Sequence, residues 1–323
     1  MTTRPFTQDA ALTAIAVNFM NPDIALIADD VLPRVDVGDE TYKYDVYPSE
    51  EVFTVPNTTV GRRGMVPEVE FSAKQQTGAV VDRGLDSPIP QSDIDRAQRQ
   101  RAQGNSNYDP EARAIEGLTH LVKLDRETRA VAVVENPDNY DADKKVALAG
   151  GDKWTDPNSD PIKDIQAAMS GTFIARPNIG ATSRQVFDVL STNPKILKAI
   201  NRNDGDSGIA TAQQIASIFG LQNIFIGDGF VNTARRGQPA QMGRLWGNAF
   251  SLMHRSSIAG TQNGIPTFGI TAELRVNGSA MVAGRWFNPK GPGLLGGVSV
   301  RVGEMVEEHL VAPSVGYLID TPI

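Results

Sequence analysis

Three short segments carry residue types that do chemistry in other proteins. Gly205-Asp206-Ser207-Gly208 has the composition of a serine-protease nucleophile segment. That chemistry needs a histidine to take the serine proton and an aspartate to orient the histidine. His120, His254 and His309 have no flanking residues of that kind, and the tetrapeptide continues the turn composition Asn201-Arg202-Asn203-Asp204. Asp156, Asn158 and Asp160 have the alternate spacing of a calcium loop. Pro161, however, stands where such a loop needs glycine, and Ala167 stands where it needs a bidentate glutamate. A tight proline turn explains them better. The histidines form no His-Glu-x-x-His pair, and no Gly-x-x-x-x-Gly-Lys-Ser/Thr phosphate cradle or dinucleotide glycine fingerprint is present. Gly291 to Gly297 is interrupted by Pro292, Leu294 and Leu295, and reads as a turn before a strand. Glu307-Glu308 gains no acid and base roles from adjacency alone. The reading is therefore no catalytic, cofactor-binding or metal site, and no enzyme.

Composition narrows the classes further. The chain has 323 residues, 40% hydrophobic and 21% charged, enough for one large core or two ordinary ones. It has no cysteine, which removes disulfides and thiolate metal sites. A formal net charge of -7 argues against a dedicated nucleic-acid binder, while an acidic wall around packaged DNA would repel the polymer without trapping it. Nothing at the start reads as a secretion signal, and no run is long enough to cross a bilayer.

The elements that would position any site show an unusual distribution. Leu12, Ile15, Ala16 and Phe19 give Asp9 to Met20 a helical apolar stripe, and Ile24 to Leu32 is a second apolar segment ended by Pro33. Both read as an arm that packs on something else or, equally well on periodicity, as an ordinary first helix in a domain core. Tyr42, Tyr44 and Val46 alternate with Lys43 and Asp45, the period of a half-buried strand. Val52 to Val55 and Val69 to Phe71 read as further strands, separated by prolines, glycines and the Arg62-Arg63 pair. Such an excursion cannot bury a core of its own, so another chain or a distant part of this one should cover it; the alternative is a hairpin at a domain edge. Residues 93–106 are polar, and Arg96, Arg99 and Arg101 read as a solvated face or an intersubunit contact. Asp109-Pro110-Glu111 starts a long helix through Glu135, with Ile115, Leu118 and Val122 on its apolar side, and Asn136-Pro137 stops it. Helices follow near 162–169, 183–190 (continuing toward Ile200) and 211–219. Strands follow at Gln222 to Gly227, Asn248 to Met253, Val298 to Val302 and His309 to Val311. The fold class is α+β.

In this order the segments resemble the major capsid proteins of tailed bacteriophages, whose fold is shared with herpesvirus shells. The resemblance rests on Ala79 to Pro90 and on the long helix with Leu121, Leu124 and Arg126-Glu127. It continues through Trp154 with Ser159-Asp160-Pro161-Ile162, Ala181 to Phe187 and Asn193-Pro194-Lys195-Ile196. Phe219-Gly220-Leu221, Leu245-Trp246-Gly247 and the ending Leu310 to Ile319 complete it. It implies an N-terminal arm (1–40), an extended loop (41–92) and a peripheral domain (93–177 and 281–312) with a spine helix at 109–135. It also implies an axial domain (178–280 and 313–323). Phe6, Leu12 and Phe19 of the arm, and Tyr42, Tyr44, Phe53, Arg62, Arg63 and Phe71 of the loop, would then meet neighbouring subunits. Ile115, Leu118 and Val122 would form the spine-helix core. The implied partners are many copies of the chain in hexamers and pentamers, a separate scaffolding protein, a portal and a decoration protein. Double-stranded DNA would lie inside, bound without sequence specificity, with no membrane and no cofactor. Assembly would take place in the host bacterial cytoplasm and end in the virion. The alternatives are an encapsulin-type or other virion shell, and a hydrolase with an unrecognised site and the loop folded back as a lid.

Overall fold

The structure is a computed structural model that describes residues 21–46, 53–66, 68–69, 74–104, 107–201, 208–235, 237–256, 266–275, 278 and 280–323. Side chains are described throughout these except at 44–46 and 74. The described chain opens with a 3-10 turn at Asp23–Ala25, a one-turn helix α1 (Ala28–Val31) and a short strand β1 (Arg34–Asp36). β2 (Thr41–Val46) and β3 (Lys74–Ala79) pair antiparallel at the base of the loop. β4 (Val81–Pro90), α2 (Gln91–Ala102) and the long helix α3 (Pro110–Val134) follow. Next come β5 (Lys145–Ala147), α4 (Pro161–Gly171), β6 (Ile179–Ser183), α5 (Arg184–Thr192), α6 (Pro194–Ile200), α7 (Ala212–Phe219) and β7 (Asn223–Gly227). The chain finishes with β8 (Phe230–Asn232), β9 (Met242–Arg244), β10 (Ala249–Met253), β11 (Gly269–Glu273), β12 (Met281–Asn288), β13 (Gly297–Leu310) and β14 (Gly316–Asp320).

Local signals fix the helices. The Asp109 side chain accepts from the backbone N–H groups of Glu111 at 3.0 Å and Ala112 at 3.3 Å, and Pro110 takes the first helical position of α3. The 25 residues of α3 extend about 37 Å. At its far end the Tyr140 hydroxyl donates to the Val134 carbonyl at 2.6 Å, satisfying a group the helix leaves without an internal partner. The helical signal through Ile200 is split at Pro194, where Asn193 caps α6 by accepting from Lys195 N at 3.0 Å.

Two sheets lie along α3. In the first, β13 is central: β4 pairs with one side, while β12 and then β11 run along the other, and β1 pairs parallel to β11. The N-terminal half of α3 packs here through Leu118 and Val122 against Ile89, Val300 and Val302. The second sheet has the order β5-β14-β10-β6-β7. β6 and β10 are buried on both faces, because α4 to α7 cover one side and α3 with residues 27–32 cover the other. Phe250 and Leu252 point to the first side, Ala249 and Met253 to the second, as strand alternation requires. Ala130 and Val134 carry the C-terminal half of α3 onto this sheet. One helix thus ties the sheets together. Packing is close where β7 passes Trp246: a Cβ added at Gly227 would lie 2.0 Å from the indole.

Several expectations need correction. Residues 25–37 are no free arm, since Ile27, Val31, Leu32, Val35 and Val37 are all buried within the chain. Their apolar spacing is that of a segment buried on its own body. β4 lies inside the expected loop, yet it is a ten-residue member of the first sheet. Of the strand expected at Val52 to Val55, residues 53–55 lie in no strand and Val52 is outside the described residues, while residues 91–102, read only as polar, are a helix seated by Ile94 and Ala97. Ile115 is 39% exposed, because the apolar cover of α3 ends one turn later, at Leu118.

Candidate assembly surfaces

The segment before β2 is fastened to α3 by buried polar groups. Glu127, 1% exposed, accepts from the backbone N–H of Ile27 at 2.8 Å and of Ala28 at 2.8 Å, and from Trp246 Nε1 at 2.7 Å. It therefore caps α1 from a helix a hundred residues away. Burial raises the Glu127 carboxyl above its ordinary pKa, and the three donors hold that rise in check. Beside it lies an ionic cluster. Arg34 reaches Asp29 at 2.7 Å, Glu273 at 3.0 Å and Glu304 at 3.1 Å. Arg126 pairs with Asp29 and donates to Thr271 Oγ1 at 3.1 Å, while Arg129 grips Glu308 through two bonds of 2.6 and 3.2 Å. Burial pushes the Asp29 carboxyl up, but Arg126 and Arg34 outweigh it and hold it below the usual carboxylate range. Glu273, Glu304 and Glu308 have almost no exposed side-chain surface. A buried carboxylate stripped of its guanidinium would be strongly destabilising. The cluster is a structural clamp between residues 29–34, α3 and β13.

The residues whose types could do chemistry have structural roles. Asp156 closes a turn by accepting from Asn158 N at 2.8 Å, and Asp160 caps α4 by accepting from Lys163 N at 3.2 Å. His254 Nδ1 lies 2.9 Å from the Arg176 carbonyl, and His309 stands edge-on to Tyr42 with ring centroids 5.8 Å apart. Among the described residues no group of three or more His, Asp or Glu is arranged to hold a metal ion, and no helix is long and apolar enough to cross a membrane. Ser207 lies outside the described residues.

The surface carries what the interior lacks. Val55, Met65 and Val66 of the loop are 92%, 91% and 71% exposed, and Arg62 and Arg63 form an exposed turn between them. Phe53 is half-exposed, its ring 5.3 Å from that of Phe173. Phe173 and Ile174 are exposed as well, and Ile174 has a φ of 66°. A β-branched residue there is strained by about 1–2 kcal/mol, a cost met at binding surfaces more often than in passive loops. Single exposed apolar residues are ordinary; a contiguous set marks an interaction site.

The expected contact residues divide accordingly. Tyr42, expected on an intersubunit face, is instead 9% exposed, tucked between His309 and Gly78, where a Cβ would meet its ring at 2.5 Å. The hairpin base packs on the first sheet, where Tyr42 joins Val37 and Ala272 in one apolar cluster. Phe53, Arg62 and Arg63 are exposed, and Leu118 and Val122 are buried at the α3 core. Phe6, Leu12, Phe19 and Phe71, together with the Tyr44 side chain, lie outside the described residues. Sequence reading missed the Phe173-Ile174 pair and the Glu127 cap. The first follows a helix end with no pattern of its own, and the second depends on partners far away in the chain.

Comparison with known proteins gives this arrangement a context. The major capsid protein of Pseudomonas phage JBD67 is 41% identical over 325 residues, covering 100% of this chain and 99% of that protein. The chain belongs to the major capsid proteins of tailed phages. The major capsid protein of Burkholderia phage BcepMu is 24% identical, covering 96% of this chain and 95% of the relative. No protein-family profile matches the capsid protein. Its fold is also that of a phage-related protein from Bordetella bronchiseptica RB50 (TM-score 0.67, 20% identity, 95% and 98% of the two chains). The capsid structure of cyanophage P-SCSP1u shares it (TM-score 0.59, 11% identity, 99% and 93%). So does the SrpI encapsulin of Synechococcus elongatus PCC 7942 (TM-score 0.55, 11% identity, 97% and 95%). The capsid protein is a structural subunit of a shell made from many copies of itself.

Proposed function

We propose that the capsid protein assembles as hexamers and pentamers into an icosahedral head around double-stranded DNA, without binding that DNA sequence-specifically. The observation that carries the reading is the loop: residues 53–69 expose Phe53, Val55, Val60, Met65, Val66 and Val69 while the body beneath is well packed. A fold with two complete cores has no internal use for that surface, and a neighbouring copy does. In this reading the loop and residues 1–20 reach across to other subunits. α3 and the first sheet form the peripheral part, and the second sheet with α4 to α7 forms the axial part around the capsomer centre. In this reading β5 and α4, expected in the peripheral domain, belong to the axial part, and β11, expected in the axial domain, belongs to the peripheral one. The support is that β11 pairs with β13 and β5 with β14. Chemistry at an active site is no part of the role. On the same reading a separate scaffolding protein and a portal complete the head, which assembles in the host cytoplasm.

Met65→Asp and Val66→Asp test this. Both residues are exposed, so each variant folds and melts like the parent. Each places a charge in a contact repeated at every interface, and particles seen by negative-stain microscopy are lost. Normal particles from both variants overturn the loop's role. The fold likeness to an encapsulin supports a second reading, a compartment for protein cargo. Nuclease-protected DNA inside the particles favours the head, and a packaged protein without DNA favours the compartment.

A further inference from the structure

We propose that the free edge of β12 takes an extended segment of a second copy, the loop stretch around Glu68 and Val69. The inference rests on the reading of the loop as an intersubunit arm, and names the surface on which the arm lands.

The first sheet ends differently on its two sides. β4 forms one outer edge and carries Pro88 and Pro90 with Asp82 and Asp86. Prolines and charges of this kind keep a bare strand from pairing with other chains. β12 forms another outer edge, and among the described residues no strand pairs with its outer side. Its sequence, Met-Val-Ala-Gly-Arg-Trp-Phe-Asn, has no proline and a single charge. Most of its eight residues are exposed, with Val282 at 38%, Trp286 at 40% and Phe287 at 58%. At the adjoining turn Leu294 and Leu295 are exposed too. An eight-residue, largely apolar edge with one charge and no proline is a template for strand addition. In a protein that lives as a shell subunit, such an edge is open because assembly closes it.

The partner segment follows from charge, pattern and reach. Lys290 gives the turn beside the edge a positive charge, and Arg285, 71% exposed at its side chain, pairs with Glu111 at 2.6 Å. Glu68 supplies the opposite charge beside Val69, which is 52% exposed and belongs to a stretch whose sequence alternates like a strand. The chain's own loop leaves at the wrong end of the sheet. Its base packs at His309 through Tyr42, whereas Trp286 sits opposite Ser299. Those β13 positions are about 33 Å apart at the usual rise per residue. Extended, the loop from Val46 to Gly61 reaches about 50 Å, far beyond the roughly 20 Å radius of gyration of a chain this size. It can meet the β12 of another copy.

The absence of native cysteine makes the test direct. Glu68→Cys is combined with Gly284→Cys, where an added Cβ meets nothing within 4 Å. Leu121→Cys on the exposed side of α3 is the alternative target. On mild oxidation of particles, the double variant is expected to give a ladder of covalent multimers. Particles co-assembled from the two single variants are expected to give a linked dimer. Linking of position 68 to position 121 but not to 284 overturns the edge proposal and leaves the loop reading standing. No link from position 68 to any position on another copy overturns both. A link that forms in the double variant, and never between single variants, shows an intrachain contact and overturns the proposal. If the cysteine variants yield no particles, Phe287→Lys decides the matter. A subunit that melts like the parent but loses particle yield by about tenfold or more supports the edge, since 1.4 kcal/mol per contact is tenfold in association. Parental yield from that variant overturns it.

Discussion

Replacing Glu127 measures how firmly residues 25–37 are held to the body. Its carboxylate is the acceptor for three buried donors: the N–H groups of Ile27 and Ala28 and the Trp246 indole. In Glu127→Gln, one terminal oxygen becomes an NH2 group. With the amide oxygen kept where it serves Ile27 and Trp246, the new NH2 faces the Ala28 N–H and one donor is orphaned, at about 1–3 kcal/mol. The opposite rotamer orphans two. Part of this loss is offset, because burial raises the pKa of the native carboxyl and the neutral amide has no charge to desolvate. The expected net cost is about 1–2 kcal/mol. Glu127→Ala orphans all three donors and leaves a void, at about 4–6 kcal/mol, a large share of the 5–15 kcal/mol that stabilises a typical domain. Trp246→Phe removes one donor, and its cycle with Glu127→Gln should show a coupling of about 1 kcal/mol. The assay is amide hydrogen exchange, which reports local opening even where global unfolding is irreversible. In Glu127→Ala the Ile27 and Ala28 amides should exchange well before those of β10. Unchanged protection of these two amides in Glu127→Ala would refute the cap.

Two further predictions follow from the core. Burial, with an opposing contribution from the Gly247 N–H and a further push from Asp320, sets the Glu135 carboxyl up to about 7, against an ordinary value of 4.5. A raised carboxyl leaves stability intact below pH 4.5 and removes it as pH rises through 7, by up to about 3 kcal/mol and less where water reaches the group. Glu135→Gln should therefore match the parent at pH 4.5 and melt higher at pH 8; an offset independent of pH contradicts this. Gly227→Ala drives a methyl into Trp246, 2.0 Å away. Overpacking of this kind costs about 1–3 kcal/mol or more, so the variant should yield less soluble protein and lose Trp246 fluorescence character, and parental melting contradicts it.

The long helix was legible because its signals are local. Asp109 and Pro110 begin it, Asn136 and Pro137 end it, and the observed Pro110–Val134 lies within those marks. β7, β10 and α7 were readable for the same reason, from short apolar runs with turn residues at each end. β4 was hidden by Gly84, Pro88 and Pro90, residues that suit an edge strand and disguise it. Residues 25–37 showed their apolar character but not its target, since α3 lies a hundred positions on in sequence. The arginine–carboxylate clamp left no trace at all. Its members are ordinary charged residues until the fold brings Arg34 to Glu304 and Arg129 to Glu308. The exposed loop was legible as surface wanting cover, though Tyr42 at its base belongs to the body.

Cryo-electron microscopy of the protein purified from cells tests the shell account most directly. The expected map shows closed particles in which Met65 and Val66 of each copy are buried against a neighbour. A homogeneous population of single 34.8 kDa subunits, with residues 53–69 lying on their own body, would contradict it.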